Sequence, residues 1–255
     1  MSDLKLYQFP ISHYCEKVRW ALDLKGLHYQ TQNLFPGFHI KVIRQFAKSS
    51  AVPLLKHGDQ AIQGSAEILD YLDTIKVDTC YTPVDATLAR EWESRLDSEL
   101  GPATRVFAYY YLLDHPKILV PWLSTGLPFY SRWLFRLLFP KIAQVMRKKM
   151  RINAETAEAS RVVLEHLLTE VAQIYRTEKY LAGDHFSRAD ITACSLLAPL
   201  FMPQEYGIHW GTINNFPIEF KQWIEDHQSD LSVVATVYQK NRKVNLCRQN
   251  ALKDA

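Results

Sequence analysis

Short apolar runs alternate with helical stripes over the first 75 residues of the chain. Leu4 to Phe9 predicts a buried strand, and Ser12 to Lys25 a helix that Gly26 closes as a C-cap. His28 to Asn33 reads as extended and runs into a turn at Leu34-Phe35-Pro36-Gly37. Ile40 to Phe46 predicts a short helix. Val52 to Lys56 and Ala61 to Gln63 predict two strands joined by a turn at His57-Gly58-Asp59. Ser65 to Ile75 follows as a helix whose apolar face is Ile68, Leu69 and Leu72. The order of elements is βαβαββα.

No strand pattern appears after this point. Long helical segments are expected over Ala86 to Leu113, Leu134 to Met150, Asn153 to Thr177, Ser187 to Leu200 and Ile218 to His227, with a last one near Leu231 to Arg242. Gly101-Pro102 should kink the first of these, because proline clashes with the preceding turn. Ser187-Arg188-Ala189-Asp190 has the form of a capping box, with Phe186 and Ile191 as its hydrophobic staple.

Composition narrows the function. The chain has 255 residues, a formal charge of +3 and 22% charged residues, a balance too even to point to nucleic acid. The basic run Arg147 to Arg151 reads as the solvated end of a helix. Cys15, Cys80, Cys194 and Cys247 are scattered, with no metal-site spacing, and fit a reducing compartment. The start of the chain has no basic segment leading into an apolar one, so no secretory leader is expected. The aromatic stretch from Val120 to Pro140 is interrupted by Pro121, Pro128, Arg132 and Arg136. It falls short of the roughly 20 apolar residues that a membrane span needs. It reads as a buried or pocket-lining helical hairpin, with peripheral membrane contact as the alternative.

The chemistry concentrates where the first strand meets the first helix. A helix N-terminus offers free N–H groups and a partial positive charge, and so favours an anion such as a thiolate. Ser12 stands at the cap, and Cys15 lies one turn later.

The segment Leu4 to Leu22, with Ser12, Cys15 and Lys17-Val18-Arg19, resembles the active-site strand–loop–helix of the glutathione transferase superfamily in its Ser-type form. The resemblance continues at Val52-Pro53, at Gly64-Ser65 with Ile68 and Tyr71-Leu72, and at Phe186 to Asp190, and so covers nearly the whole chain. It implies an α/β thioredoxin-like N-terminal domain over residues 1–76, a linker over 77–85 and an all-α C-terminal domain over 86–255. It also implies a cytoplasmic, homodimeric transferase of detoxification, with glutathione as co-substrate and a small hydrophobic electrophile or peroxide as its second substrate. No metal and no membrane span are expected.

Residue by residue, the resemblance implies that Ser12 donates a hydrogen bond to the glutathione sulfur. A free thiol has a pKa of about 8.5, so such help matters at neutral pH. Tyr14 is an alternative partner for the sulfur. Cys15 is either an inert buried thiol or a second reactive group. The bond before Pro53 would be cis, leaving the Val52 backbone free to pair with the cysteinyl backbone of glutathione. Ser65 would hold the γ-glutamyl carboxylate at a helix N-terminus. Gly64 departs from the family, which places Glu, Gln or Asp there. His39 and Lys41 are candidates for the glycyl carboxylate. The aromatic set Tyr109-Tyr110-Tyr111, Trp122, Phe129, Tyr130 and Trp133 falls where the family forms its electrophile pocket. A thiol-disulfide reductase using Cys15, or a non-catalytic binding or regulatory protein, are the competing readings.

Overall fold

The computed structural model describes residues 3–76, 81–83 and 85–243. Most of the expected linker, residues 77–80 and 84, lies outside that set, as do Cys80 and Cys247.

Four strands form one mixed sheet: β1 Leu4–Gln8, β2 Gln30–Asn33, β3 Leu54–His57 and β4 Gln60–Gln63. Their spatial order is β2-β1-β3-β4, with β1 and β2 parallel and the other two pairings antiparallel. Helices α1 His13–Leu24, α2 His39–Ile43 and α3 Ser65–Ile75 complete a thioredoxin-like domain. Both faces of the sheet are covered, which explains why β1 and β3 are apolar at consecutive positions rather than alternating. Leu4, Leu6 and Leu55 enter the main core with α1 and α3. Tyr7 and Leu54 turn the other way and pack with Leu34 and Ile43 in a small second core.

The rest is helical: α4 Thr87–Arg95, a π-helical turn Leu96–Leu100, α5 Gly101–Leu112, α6 Pro116–Leu123, α7 Phe129–Met150, α8 Ala154–Thr177, α9 Arg188–Phe201, α10 Ile218–Asp226 and α11 Gln228–Asn241. One isolated bridge joins Tyr180 and Gly183, and among the described residues no further strand pairing occurs there. The capping box at α9 forms as its sequence predicts. Asp190 accepts from the Ser187 backbone N–H at 2.8 Å, and the Ser187 hydroxyl accepts from Ala189 N. Phe186 packs against Trp20 of α1.

The helical domain grips α1. That helix lies between the sheet and α9, and this buries Glu16, Lys17 and Arg19 outright. Buried charges need partners, and each is supplied by a different element. Lys17 Nζ meets Asp97 at 2.6 Å and Glu93 at 2.7 Å. Arg19 pairs with Glu16 and donates to Gln8 of β1. Arg242, just past α11, reaches Glu16 at 2.6 Å and Asp23 at 2.9 Å, while Tyr238 donates to Glu16.

Candidate active site

The loop leaving β1 is pinned before it reaches Ser12. Arg19 Nη2 donates to the Pro10 carbonyl at 3.1 Å, and Tyr206 Oη donates to the Ile11 carbonyl at 2.8 Å. Ser12 N donates to Phe9 O. Ser12 is thereby set as the N-cap of α1, half-buried, and its Oγ accepts from Cys15 N at 3.4 Å. The same hydroxyl also meets the Cys15 side chain, one turn into the helix.

The neighbours of Ser12 are not presented in the same way. Tyr14 turns toward the helical domain, where its hydroxyl donates to the Asp97 carbonyl at 2.7 Å, in the π-helical turn. Its ring fills the space over Gly101, the first residue of α5. Cys15 is fully enclosed, and burial pushes its thiol above the ordinary range, partly opposed by the contact with Ser12. His13 is buried with Nε2 unpartnered among the described residues. Burial first, and then the charge of Arg105, pull its pKa down to about 3, so its ring is neutral at physiological pH.

Two further segments of the sheet domain converge. The Val52-Pro53 peptide bond is cis, as the family resemblance implies. The Pro53 carbonyl accepts from Gly64 N at 3.2 Å, which brings the start of α3 beside this turn. Gln63 Nε2 donates to the carbonyls of Ser49 and Ala51, so its side chain holds the loop ahead of Val52. Ser65 is the first residue of α3 and nearly buried. The first N–H groups of a helix have no intrahelical partner, and here they belong to Ser65 and Ala66.

His39 packs edge-on against Phe9, with ring centroids 4.9 Å apart, and its Nδ1 accepts from Gly37 N at 3.0 Å. That bond leaves the ring proton on Nε2, and burial lowers the pKa. Lys41 is exposed on α2.

Two residues were not singled out in the sequence. Glu67 sits in the first turn of α3 and folds its carboxylate back over Gly64. A Cβ on Gly64 would meet Glu67 Oε2 at 2.0 Å. The missing side chain at position 64 is thus replaced in space by the carboxylate of the residue three positions on. The sequence signal was an acidic residue at the third helical position behind a capping glycine. The second residue is Arg105 of α5. It bears on His13 and Tyr14 electrostatically, and its Nε is buried without a hydrogen-bond partner among the described residues. No local pattern marked it.

The aromatic set divides. Tyr109 is buried enough that its hydroxyl is pushed up to about 12. Trp122 is buried against Trp210 and Phe216 and borders a cavity of about 630 Å³ that His115 and His209 also line. Phe129, Tyr130 and Trp133 are exposed, at 92%, 61% and 74%. The expectation of a buried or pocket-lining hairpin over 120–140 therefore holds for Trp122 and fails for the start of α7. There the buried stripe is Ser131, Phe135 and Phe139, and the larger rings point outward.

Models of the glutathione S-transferase N-terminal and C-terminal domains match residues 6–78 and 127–225. These matches support the glutathione transferase superfamily. A glutathione S-transferase named TCHQD, from Arabidopsis thaliana, is 26% identical over 225 residues, with 77% of each chain covered. Solved structures of similar fold include the beta-etherase LigF from a Sphingobium species, with a TM-score of 0.61 and 16% identity over 93% of this chain and 99% of that one. Another is a glutathione S-transferase from Methylobacterium radiotolerans in complex with glutathione sulfonate, with a TM-score of 0.55 and 19% identity over 91% of this chain and 94% of that one. The glutathione transferase fold accounts for the sheet order, the cis-Pro turn beside α3 and the helical domain behind α1.

Proposed function

We propose that the protein is a glutathione transferase in which the Ser12 hydroxyl stabilises the glutathione thiolate for attack on a small hydrophobic electrophile. One observation carries this reading. Of the three groups near the start of α1 that sequence left open, only Ser12 is partly exposed with no backbone carbonyl holding its hydroxyl proton among the described residues. Tyr14 has committed its proton to Asp97, and Cys15 is enclosed. Because Ser12 Oγ already accepts from Cys15 N, its O–H is polarised toward an incoming sulfur. The α1 N-terminus adds a favourable partial charge, and Arg105, whose charge reaches the neighbouring His13 and Tyr14, would add to it.

The tripeptide would lie across the three convergent segments. The Val52 backbone pairs with its cysteinyl unit. Ser65 and the first N–H groups of α3 take the γ-glutamyl carboxylate, and Glu67 accepts from the γ-glutamyl ammonium. His39 Nε2–H and Lys41 face the glycyl carboxylate. In conjugation, the thiol proton leaves to water, the thiolate sulfur forms the new C–S bond, and the leaving group departs with its electron pair. Glutathione as the bound thiol is supported by relatives of this fold whose structures hold glutathione sulfonate or lactoylglutathione. A cytoplasmic homodimer is the setting proposed for it, and peroxide reduction a second use of the same thiolate.

Ser12→Ala should lower conjugation of an aryl halide about ten-fold or more at neutral pH, at about 1.4 kcal/mol per decade. The deficit should shrink as pH rises and the thiol ionises unaided. Cys15→Ser should leave turnover nearly intact. An unchanged pH–rate profile in Ser12→Ala removes Ser12 from the mechanism. Loss of disulfide reduction in Cys15→Ser, with Ser12→Ala unaffected, assigns the chemistry to Cys15 instead.

A further inference from the structure

Helix α7 presents an outer face that nothing among the described residues covers. Phe129, Trp133 and Leu137, each four residues apart and therefore on one stripe, are 92%, 74% and 66% exposed, with Tyr130 beside them at 61%. The opposite stripe, Phe135, Phe139 and Ala143, is buried and holds the helix in place. The exposed rings are thus not a frayed end but one side of a well-anchored helix. Single exposed apolar residues are ordinary, but a contiguous patch of large ones marks an interaction surface. The patch continues into the sheet domain. Phe35 bridges Phe135 of α7 and Phe38, with ring centroids 4.3 and 5.4 Å away, and Phe38 is itself 63% exposed.

Charge identifies the occupant. The 22 residues of α7 contain Arg132, Arg136, Lys141, Arg147, Lys148 and Lys149 and not one carboxylate. Arg147 is paired with Asp114. The other five meet no carboxylate within 4 Å among the described residues. Arg132, Arg136 and Lys141 flank the aromatic stripe. A second copy seated two-fold on this face would bring like charges together, which disfavours self-association there. A surface that is apolar just below a layer of negative charge satisfies both features at once. Aromatic and leucine side chains enter the boundary between headgroups and acyl chains, and Lys and Arg stay at the phosphates.

We propose that the outer face of α7, extended by Phe38, docks the protein on the surface of an anionic lipid bilayer. This is contact from one side. Among the described residues no helix is long and apolar enough to cross a membrane.

Vesicle flotation of the full chain tests it, with phosphatidylcholine alone and with added phosphatidylglycerol, at low and high ionic strength. The protein should float with the anionic vesicles, less so as salt rises. Arg132→Gln with Arg136→Gln should weaken that binding by about 25-fold, near fivefold for each cation. Phe129→Ser, Trp133→Ser and Leu137→Ser together should abolish it at both ionic strengths. These positions are exposed, so circular dichroism and oligomeric state should match the wild type. No flotation at low salt, equal binding to neutral and anionic vesicles, or full binding by the triple variant overturns the proposal. So does a dimer that becomes monomeric in the triple variant, which gives the face to a second copy, or binding to RNA with none to vesicles.

Discussion

Replacing Gly101 with alanine sets two physical effects against each other. Helix propensity favours alanine over glycine by about 0.5–1 kcal/mol inside a helix. Packing opposes it, because a Cβ at Gly101 would lie 2.1 Å from Tyr14 Oη and 2.6 Å from Cζ. Ordinary contacts between heavy atoms begin near 3.5 Å, so the ring has to retreat by about 1.4 Å (3.5 − 2.1). That retreat breaks the 2.7 Å bond from Tyr14 to the Asp97 carbonyl. A buried hydroxyl left unpaired costs about 1–3 kcal/mol, and overpacking costs about 1–3 kcal/mol more. Packing wins, and Gly101→Ala should destabilise the protein by about 2–4 kcal/mol. Urea unfolding measures this through a lower midpoint at an unchanged m-value. In a Tyr14→Phe background the nearest clashing atom is gone, so the cost of Gly101→Ala should fall by about 1–2 kcal/mol in a double-mutant cycle. A Gly101→Ala protein as stable as the wild type, or an equal cost in both backgrounds, would refute the reasoning.

Glu67→Gln should weaken glutathione binding by about five- to thirty-fold in calorimetric titration, since one charge-assisted hydrogen bond to the ammonium is lost. Tighter binding would mean that Glu67 instead occupies the carboxylate site as a competing cap. Ser65→Ala should weaken binding by about 1–3 kcal/mol for the same reason at the other γ-glutamyl charge, and equal affinity would place that group elsewhere. The neutral burial of His13 sets an acid limit. Its folded-state pKa, about 3, lies below the unfolded value of 6.5, so between those pH values the unfolded chain binds the extra proton. Stability then falls as pH falls through that window, by up to about 1.4 kcal/mol per unit from this group. His13→Gln should flatten that slope, and identical acid unfolding curves for the two proteins would contradict it.

The sheet domain was legible because its signals are local. Ser12 and Gly26 bracket α1, alternation within β1 and β3 is masked only by their two-sided burial, and Gly58 turns β3 into β4. The capping box at Ser187 was legible for the same reason. The helix starts that follow prolines were less legible. Pro116 begins α6, a helix not expected from the sequence, since the first helical position needs no N–H. Pro128 precedes α7, so that helix starts at Phe129 and not at Leu134. At Gly101-Pro102 the expected kink is answered by the π-helical turn Leu96–Leu100, after which Pro102 stands in the first turn of α5. Within the site, Ser12, Val52, Pro53 and Ser65 carry backbone requirements that leave a trace in the sequence. Glu67 and Arg105 do not. Their place depends on a side chain folding back over a glycine and on how α5 packs against α1.

The position of Ser12 is a property of both domains. Its hydroxyl is aimed by the N-terminus of α1, and α1 is aimed by charges that the sheet domain alone does not neutralise. Lys17 is held by Glu93 and Asp97, and Glu16 and Asp23 are held in part by Arg242. Removing one partner of a buried pair typically costs about 3–5 kcal/mol, because the other charge stays in a poorly solvating place. The loop before Ser12 is also tied across the same boundary, through Tyr206 to Ile11. The helical domain therefore sets the register of the helix whose first turn is proposed to meet the glutathione sulfur. Changes at Glu93 or Arg242, which meet α1 at Lys17 and at Glu16 and Asp23, act on the same helix as changes at the cap itself.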